Sequence, residues 1–333
     1  MPTPPGGCPK NMVMGPCGGV RADGDCELAR RPCAFPVPAR WADPVPAVPV
    51  RSVPLVLTDF TSEPYSAASH RSVASALAPS SDAVLVGDHQ RHPDFPPAVL
   101  ASLLLDAGAR PWITLTCRDR NRVALEQELA ALRLLDVDAV LCVTGDGRPL
   151  TRPGAAVFDL DGPRLTALAT AAGIAAVVPE TPAAPPRHLR PFRLAQKQRA
   201  GAAAAVLNHD GAASVAGFMS GAAEAGVTIP VIAAVAVFTD ERSAAAISVL
   251  PGLELDQAAV RRVLASPDPV AAGIAFAAGE ARALLAIPGV AGVNISGLAS
   301  ARGYEFAARV KAELAQRVRE ESGEGRDDAT GRR

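Results

Sequence analysis

The stretch TLTCRDRNRVALEQELAALRLLDVDAVLCVTGD, Thr114 to Asp146, contains strand, helix and strand in one unbroken run. WITLTC from Trp112 and AVLCVTG from Ala139 are short apolar runs rich in β-branched residues, the signature of buried strands. Between them Leu125, Leu129 and Leu132 fall at i, i+4 and i+7, so one face of a helix is apolar, and Asn121 stands where an N-cap belongs. Such alternation marks βα units built around parallel strands.

Working outward, the same grammar recurs. Strand candidates are VPLVLTD from Val53, DAVLVG from Asp82, IAAVVP from Ile174, AAAVLN from Ala202, IPVIAAVAV from Ile229 and VAGVNIS from Val290. With the first two they make eight, the number that closes a (β/α)8 barrel of the TIM type. The longer gap from Asp240 to Ile287 has room for two or three helices. An open doubly wound sheet is the competing arrangement, but no G-x-G-x-x-G follows the first strand and no G-x-x-x-x-G-K-[ST] occurs. The fold class expected is therefore α/β, a barrel over residues 53–318.

Both ends differ from this pattern. Residues 1–40 hold four of the six cysteines among prolines and glycines, a small cysteine-rich module. Residues 41–52 form a proline-rich linker, because closely spaced prolines fix φ and remove donors. Residues 319–333 are polar and poor in apolar side chains, and are expected to be disordered.

With 33 basic and 34 acidic residues and few aromatics, the chain offers no electrostatic footprint for nucleic acid. No leader pattern opens it and no run of about 18 apolar residues suggests a membrane span, so a cytoplasmic protein is expected. There thiols stay reduced, which favours a metal or cluster site over disulfides. Cys8, Cys17, Cys26 and Cys33 supply four thiolates, enough for a tetrahedral zinc site or an iron-sulfur cubane. Their intervals are wider than C-x2-C knuckles, and free thiols in an extended arm are the alternative reading. Gly15, Gly18 and Gly19 would let the backbone turn about an ion. Cys117 and Cys142 lie in strand candidates and should be buried and inert.

In a barrel the catalytic groups come from the C-terminal ends of the strands. There the sequence places Asp59 and Glu63, then Asp88 and His89 with His92 beyond, then Arg118, Asp119 and Arg120, then Asp146. Later come Glu180, Asn208, His209, Asp240, Asn294 and Ser296. Each alone is an ordinary loop or cap residue. No zinc-hydrolase or serine-nucleophile motif accompanies them.

The T-C-R-D-R-N-R run followed by L-C-x-T-G-D resembles the third-to-fourth strand segment of the methylenetetrahydrofolate reductase family, and the resemblance extends over roughly residues 53–310. It implies a barrel that reduces 5,10-methylenetetrahydrofolate to 5-methyltetrahydrofolate, with FAD as the usual cofactor and NAD(P)H as the common hydride source. By this resemblance Asp146 holds the pterin beside the flavin, and Asn208 and Glu180 bind substrate. Thr114, Arg118 and Asp119 line the flavin side, and Asp59, with Glu63 as substitute, supplies the catalytic acid. Departures are visible: L-T-D-F-T-S-E-P stands for F-E-F-F-P-P, VVPETP for Y-P-E-V-H-P, and LNHDG for Q-F-F-F-D. The N-terminal C-P-K-N-M-V-M-G-P-C-G-G is similar to the cysteine-rich domain associated with the same family. Partners implied are a folate, a partner reductase subunit, or a second copy of the chain. An accessory folate-binding subunit and a methyltetrahydrofolate methyltransferase are the alternative functions.

Overall fold

The computed structural model describes residues 7–29, 31–37, 39–88, 93–146, 156–248, 256–297 and 300–330. His89 and His92 lie outside them. Eight parallel strands close in sequence order: β1 Val56–Phe60, β2 Ala83–Val86, β3 Pro111–Thr116, β4 Ala139–Val143, β5 Ala175–Glu180, β6 Ala202–Leu207, β7 Val231–Val237 and β8 Val290–Gly297. Leu57 of β1 faces Asn294 of β8 and Ala83 of β2, so the seam is paired like every other junction. Each of the eight expected runs became a strand. The first begins at Val56 rather than Val53, because Pro54 has no amide to give to a ladder.

The helices follow from caps and apolar faces. In α3, Arg122–Leu134, Asn121 accepts from the Ala124 amide at 2.9 Å, and Leu125, Leu129 and Leu132 are the buried face. Helix α1, Ala67–Leu77, is capped by Ser66, and α4, Gly162–Ala171, by Asp161. Three helices fill the long gap: α7 Glu241–Ser248, α8 Gln257–Leu264 and α9 Pro269–Leu285. The others used below are α2 Pro97–Asp106, α5 Arg190–Arg199, α6 Ala212–Glu224 and α10 Tyr304–Thr330. No described helix is long and apolar enough to cross a membrane.

The boundary expected at residue 318 falls inside α10, so the described residues from 319 onward continue a helix instead of opening a disordered tail. Arg319 pairs with Asp82 and gives its Nε to the Ser80 carbonyl at 2.8 Å. Glu321 holds Arg282 of α9 at 2.7 Å and Arg317 one turn back at 3.0 Å. Polar composition described the solvent face of this segment and missed its docking partners.

Two shells of apolar side chains make the core. Leu57, Leu85, Trp112, Leu141, Val177 and Ile232 belong to the cluster inside the barrel, while Val178, Leu194, Leu207 and Val215 pack between strands and helices. Cys117 and Cys142 are buried, and burial pushes both thiols far above the ordinary range, as expected for inert side chains.

The linker is neither helix nor strand, and it is fastened along its length. Trp41 gives its amide to Gln196 Oε1 at 2.7 Å, Val45 gives its amide to the Arg199 carbonyl at 2.8 Å, and Val48 and Val50 pack against the cluster inside the barrel.

Candidate active site on the barrel rim

Alternation along a strand sorts the expected residues. Asp59 follows the inward-facing Leu57 by two positions, and the β8 residue Asn294, paired opposite Leu57, donates Nδ2 to Asp59 Oδ1 at 2.9 Å. Asn294 is 4% exposed, and its Oδ1 is buried without a partner. Two residues on, Ser296 shares a hydrogen bond with His209 Nε2, which reaches across β7 from the end of β6. The crossing is possible because β7 presents Ala234 and Ala236 opposite Asn294 and Ser296. Burial lowers the His209 pKa from its ordinary value, against the pull of the Asp59 carboxylate. Lys311 of α10 is buried and gives its Nζ to the Asp59 carbonyl at 2.8 Å. Burial brings its pKa down to about 8, with Asp59 again opposing. Glu63 lies beyond this group, exposed in the loop after β1, where its amide meets Ser69 Oγ at 3.1 Å.

At the ends of β3 and β4, Thr114 is 8% exposed and faces inward with Trp112. Arg118 is buried and donates Nη1 to Asp119 at 2.7 Å, and its Nε has no partner. Arg120 pairs with Asp88, whose carboxylate also accepts from Thr116 Oγ1 at 2.9 Å. Gly145 adopts φ +95°, which L side chains rarely enter, and Asp146 follows it into solvent. Asn208 is exposed at the end of β6, and its Nδ2 donates to Thr181 Oγ1 at 2.7 Å.

Glu180 stands apart from these residues. It shares the face of Ala176 and Val178, outside the barrel, where it is 3% exposed and receives Lys197 of α5 at 2.7 Å and Arg190 at 3.7 Å. Burial alone would raise its pKa, but Lys197, Arg190 and Arg193 hold it below the ordinary value. Burial in turn brings Lys197 to about 8 despite Glu180. The carboxylate is thus committed to a buried ion cluster rather than to the rim where Asp59 and Asp146 stand.

That cluster is roofed by the cysteine module, a placement the sequence reading did not include. Arg190 donates to the Cys17 carbonyl at 2.9 Å and Arg193 to the Met14 carbonyl. Val13 and Met14 both give their amides to Asp161 Oδ2 at 2.8 Å. Lys10, 4% exposed, gives its Nζ to the Gly145 carbonyl at 2.7 Å and pairs with Glu27. The module therefore covers the ends of β4 and β5.

Within it, Cys8, Cys17, Cys26 and Cys33 line one cavity of about 20 Å³. Burial pushes the Cys17 and Cys33 thiols up, and the neighbouring thiols add to the rise for both. The Gly19 and Phe35 amides face those sulfurs and oppose it. Gly15 and Gly19 are needed for close approach: a Cβ would stand 2.1 Å from the Phe35 ring at the first and 2.2 Å from the Glu27 carboxyl at the second. The donor set suits a thiophilic ion, although among the described residues no three His, Cys, Asp or Glu side chains are yet gathered tightly enough to hold one.

Residues 3–42 match the family model described as Methylene-tetrahydrofolate reductase C terminal. The cysteine module resembles that reductase domain. The match ends at residue 42, so it concerns the reductase-type module and leaves the barrel to structural comparison. There, an uncharacterized protein from Clostridium thermocellum that binds two copies of 5-methyl-5,6,7,8-tetrahydrofolic acid has a TM-score of 0.57. Identity is 14%, over 81% of this chain and 96% of that one, so the likeness carries the fold. No curated protein sequence matches the chain.

Proposed function

We propose that the barrel binds a reduced folate on its C-terminal rim and reduces 5,10-methylenetetrahydrofolate to 5-methyltetrahydrofolate. The observation that carries this reading is the docking of a reductase-type module on the very turn that bears Asp146, through Lys10 and Gly145. The folate bound by the Clostridium thermocellum barrel supports the substrate class.

In this reading Asp59, hydrogen-bonded by Asn294, is the acid that gives a proton to substrate N10. That proton breaks the bond from N10 to the methylene carbon and leaves a cationic methylene on N5. The carbon then takes a hydride and becomes the methyl group. Asp146 is the rim carboxylate that faces the cation and holds the pterin, with Asn208 contributing an amide. The buried Nε of Arg118 is a free donor suited to an anionic cofactor group, with Thr114 and Asp119 beside it. FAD held there would supply the hydride, drawn from NAD(P)H. The four thiols would hold zinc as a closed structural site, or an iron-sulfur cluster.

A second reading is an accessory folate-binding subunit that works with a partner reductase. It is favoured by Glu63 standing in solvent and by the ion cluster that removes Glu180 from the rim. The deciding experiment is absorbance and metal analysis of the purified chain, followed by NAD(P)H oxidation with 5,10-methylenetetrahydrofolate. Turnover by the isolated chain establishes the reductase; folate binding with no turnover under any nicotinamide or flavin donor establishes the accessory subunit.

A further inference from the structure

A single line of contacts joins the cysteine cavity to the barrel rim. Cys17 Sγ lies 3.7 Å from Glu27 Oε1, Glu27 pairs with Lys10, and Lys10 Nζ ends on the Gly145 carbonyl. Lys10 and Gly145 are 135 residues apart in sequence, and the lysine is almost fully buried. A buried ammonium that loses one partner cannot recover it from water, so the three links are constrained to move together. The backbone around Lys10 is pinned separately, since Asp161 holds the amides of Val13 and Met14 and Arg164 reaches the Asn11 carbonyl at 3.3 Å. Gly145 sits in a left-handed turn from which Asp146 departs, so whatever holds its carbonyl sets the direction of that departure.

We propose that Lys10 is a positioning residue for the Asp146 turn, and that it transmits the state of the four-cysteine cavity to the barrel rim. Occupation of the cavity by a divalent metal displaces the Cys17 thiol proton to solvent, so the hydrogen bond to Glu27 is given up and Glu27 is left to Lys10 alone. Glu27 and Lys10 are the path by which that change reaches Gly145. What Asp146 binds rests on the function proposed above, whereas the coupling itself does not.

The test is hydrogen exchange followed by mass spectrometry on the full chain, read at the peptide covering Thr144 to Asp146, with zinc loaded and with zinc removed by a chelator. Lys10→Met should speed exchange there by about tenfold while α9 is unchanged, and Lys10→Arg should restore most of the protection. In the unaltered protein zinc removal should speed the same peptide, and Lys10→Met and Glu27→Gln should each abolish that dependence. Unchanged exchange in Lys10→Met, a zinc response that survives it, or a chain that takes up no zinc overturns the proposal. A parallel titration with 5-methyltetrahydrofolate separates the two readings. No folate affinity in the unaltered chain removes the proposed function and leaves the exchange result to judge Lys10. Folate binding with unaltered exchange in Lys10→Met does the reverse.

Discussion

Asp161 accepts the amide of Met14 at 2.8 Å while it caps α4 through the Arg164 amide at 3.2 Å. One buried carboxylate thus terminates a barrel helix and anchors the cysteine module. Asp161→Ala removes a cap, about 1 kcal/mol, and leaves the Val13 and Met14 amides unpaired at about 1–3 kcal/mol each where they stay buried. The expected outcome is a lowered melting temperature together with new protease cleavage in the linker. Asp161→Asn retains an acceptor oxygen and should lose less of both.

Asp59→Asn keeps the hydrogen-bonding shape beside Asn294 and removes the transferable proton. If the barrel reduces methylenetetrahydrofolate, kcat should fall by about 10²–10⁴ with folate affinity nearly unchanged. Glu63→Gln, in an exposed loop, should leave kcat within about threefold. Steady-state NAD(P)H oxidation with both variants distinguishes the two carboxylates, and equal losses would remove Asp59 as the acid.

Lys311 makes stability depend on pH in an unusual direction. Its folded pKa of about 8 lies below the unfolded lysine value of 10.5, so between those limits the unfolded chain holds a proton that the folded chain has released. Stability therefore rises with pH through that window, and below pH 8 both states are charged. Lys197, also brought to about 8, contributes in the same sense. The buried Cys117 and Cys142 thiols, raised above their ordinary value, act in the opposite sense above about pH 9, so the test is the difference between proteins: urea unfolding from pH 7.5 to 10.5 should show a stability that gains less with pH in Lys311→Met than in the unaltered chain. Identical pH profiles in the two proteins would contradict the assignment.

Metal content separates the two classes of cysteine. Cys17→Ser and Cys33→Ser should lower bound zinc or iron well below one equivalent per chain, since both thiols line the shared cavity. Cys117→Ser and Cys142→Ser should leave metal content intact. They should instead cost about 1–3 kcal/mol, because each buries a hydroxyl where a thiol was packed. Elemental analysis beside thermal melts reads both outcomes.

Much of the barrel is legible in the sequence because its signals are local. The Asn121 cap, the leucine face of α3 and the apolar runs of the strands all lie within one or two turns of chain. The facing of Glu180 is not legible in that way. Ala175, Val177 and Pro179 fall on one face of β5 and Ala176, Val178 and Glu180 on the other, and a parallel strand buried on both sides gives no cue to which face is inner. The pairing of β5 with β6 skips Ala203 of β6, since Ala176 meets Ala202 and Val177 meets Ala204, so a count along β6 is no guide either. The roof of cysteines over β4 and β5 depends on Lys10, Val13 and Met14 meeting partners 135 to 148 residues away, and no periodicity encodes that. His209 was readable as a rim residue, but its reach to Ser296 depends on two alanines in a different strand.

The linker gives the molecule a mechanical property. The chain sits on one mouth of the barrel as the cysteine module, runs down past α5 at Trp41 and Val45, and tucks Val48 and Val50 against the interior before β1 starts upward. It is a strap under fixed length, tied above by Asp161 and Arg193 and wedged below by two valines. Lifting the module draws the strap taut, so the load falls on the Trp41 and Val45 bonds to α5 before it reaches the two valines at the other mouth.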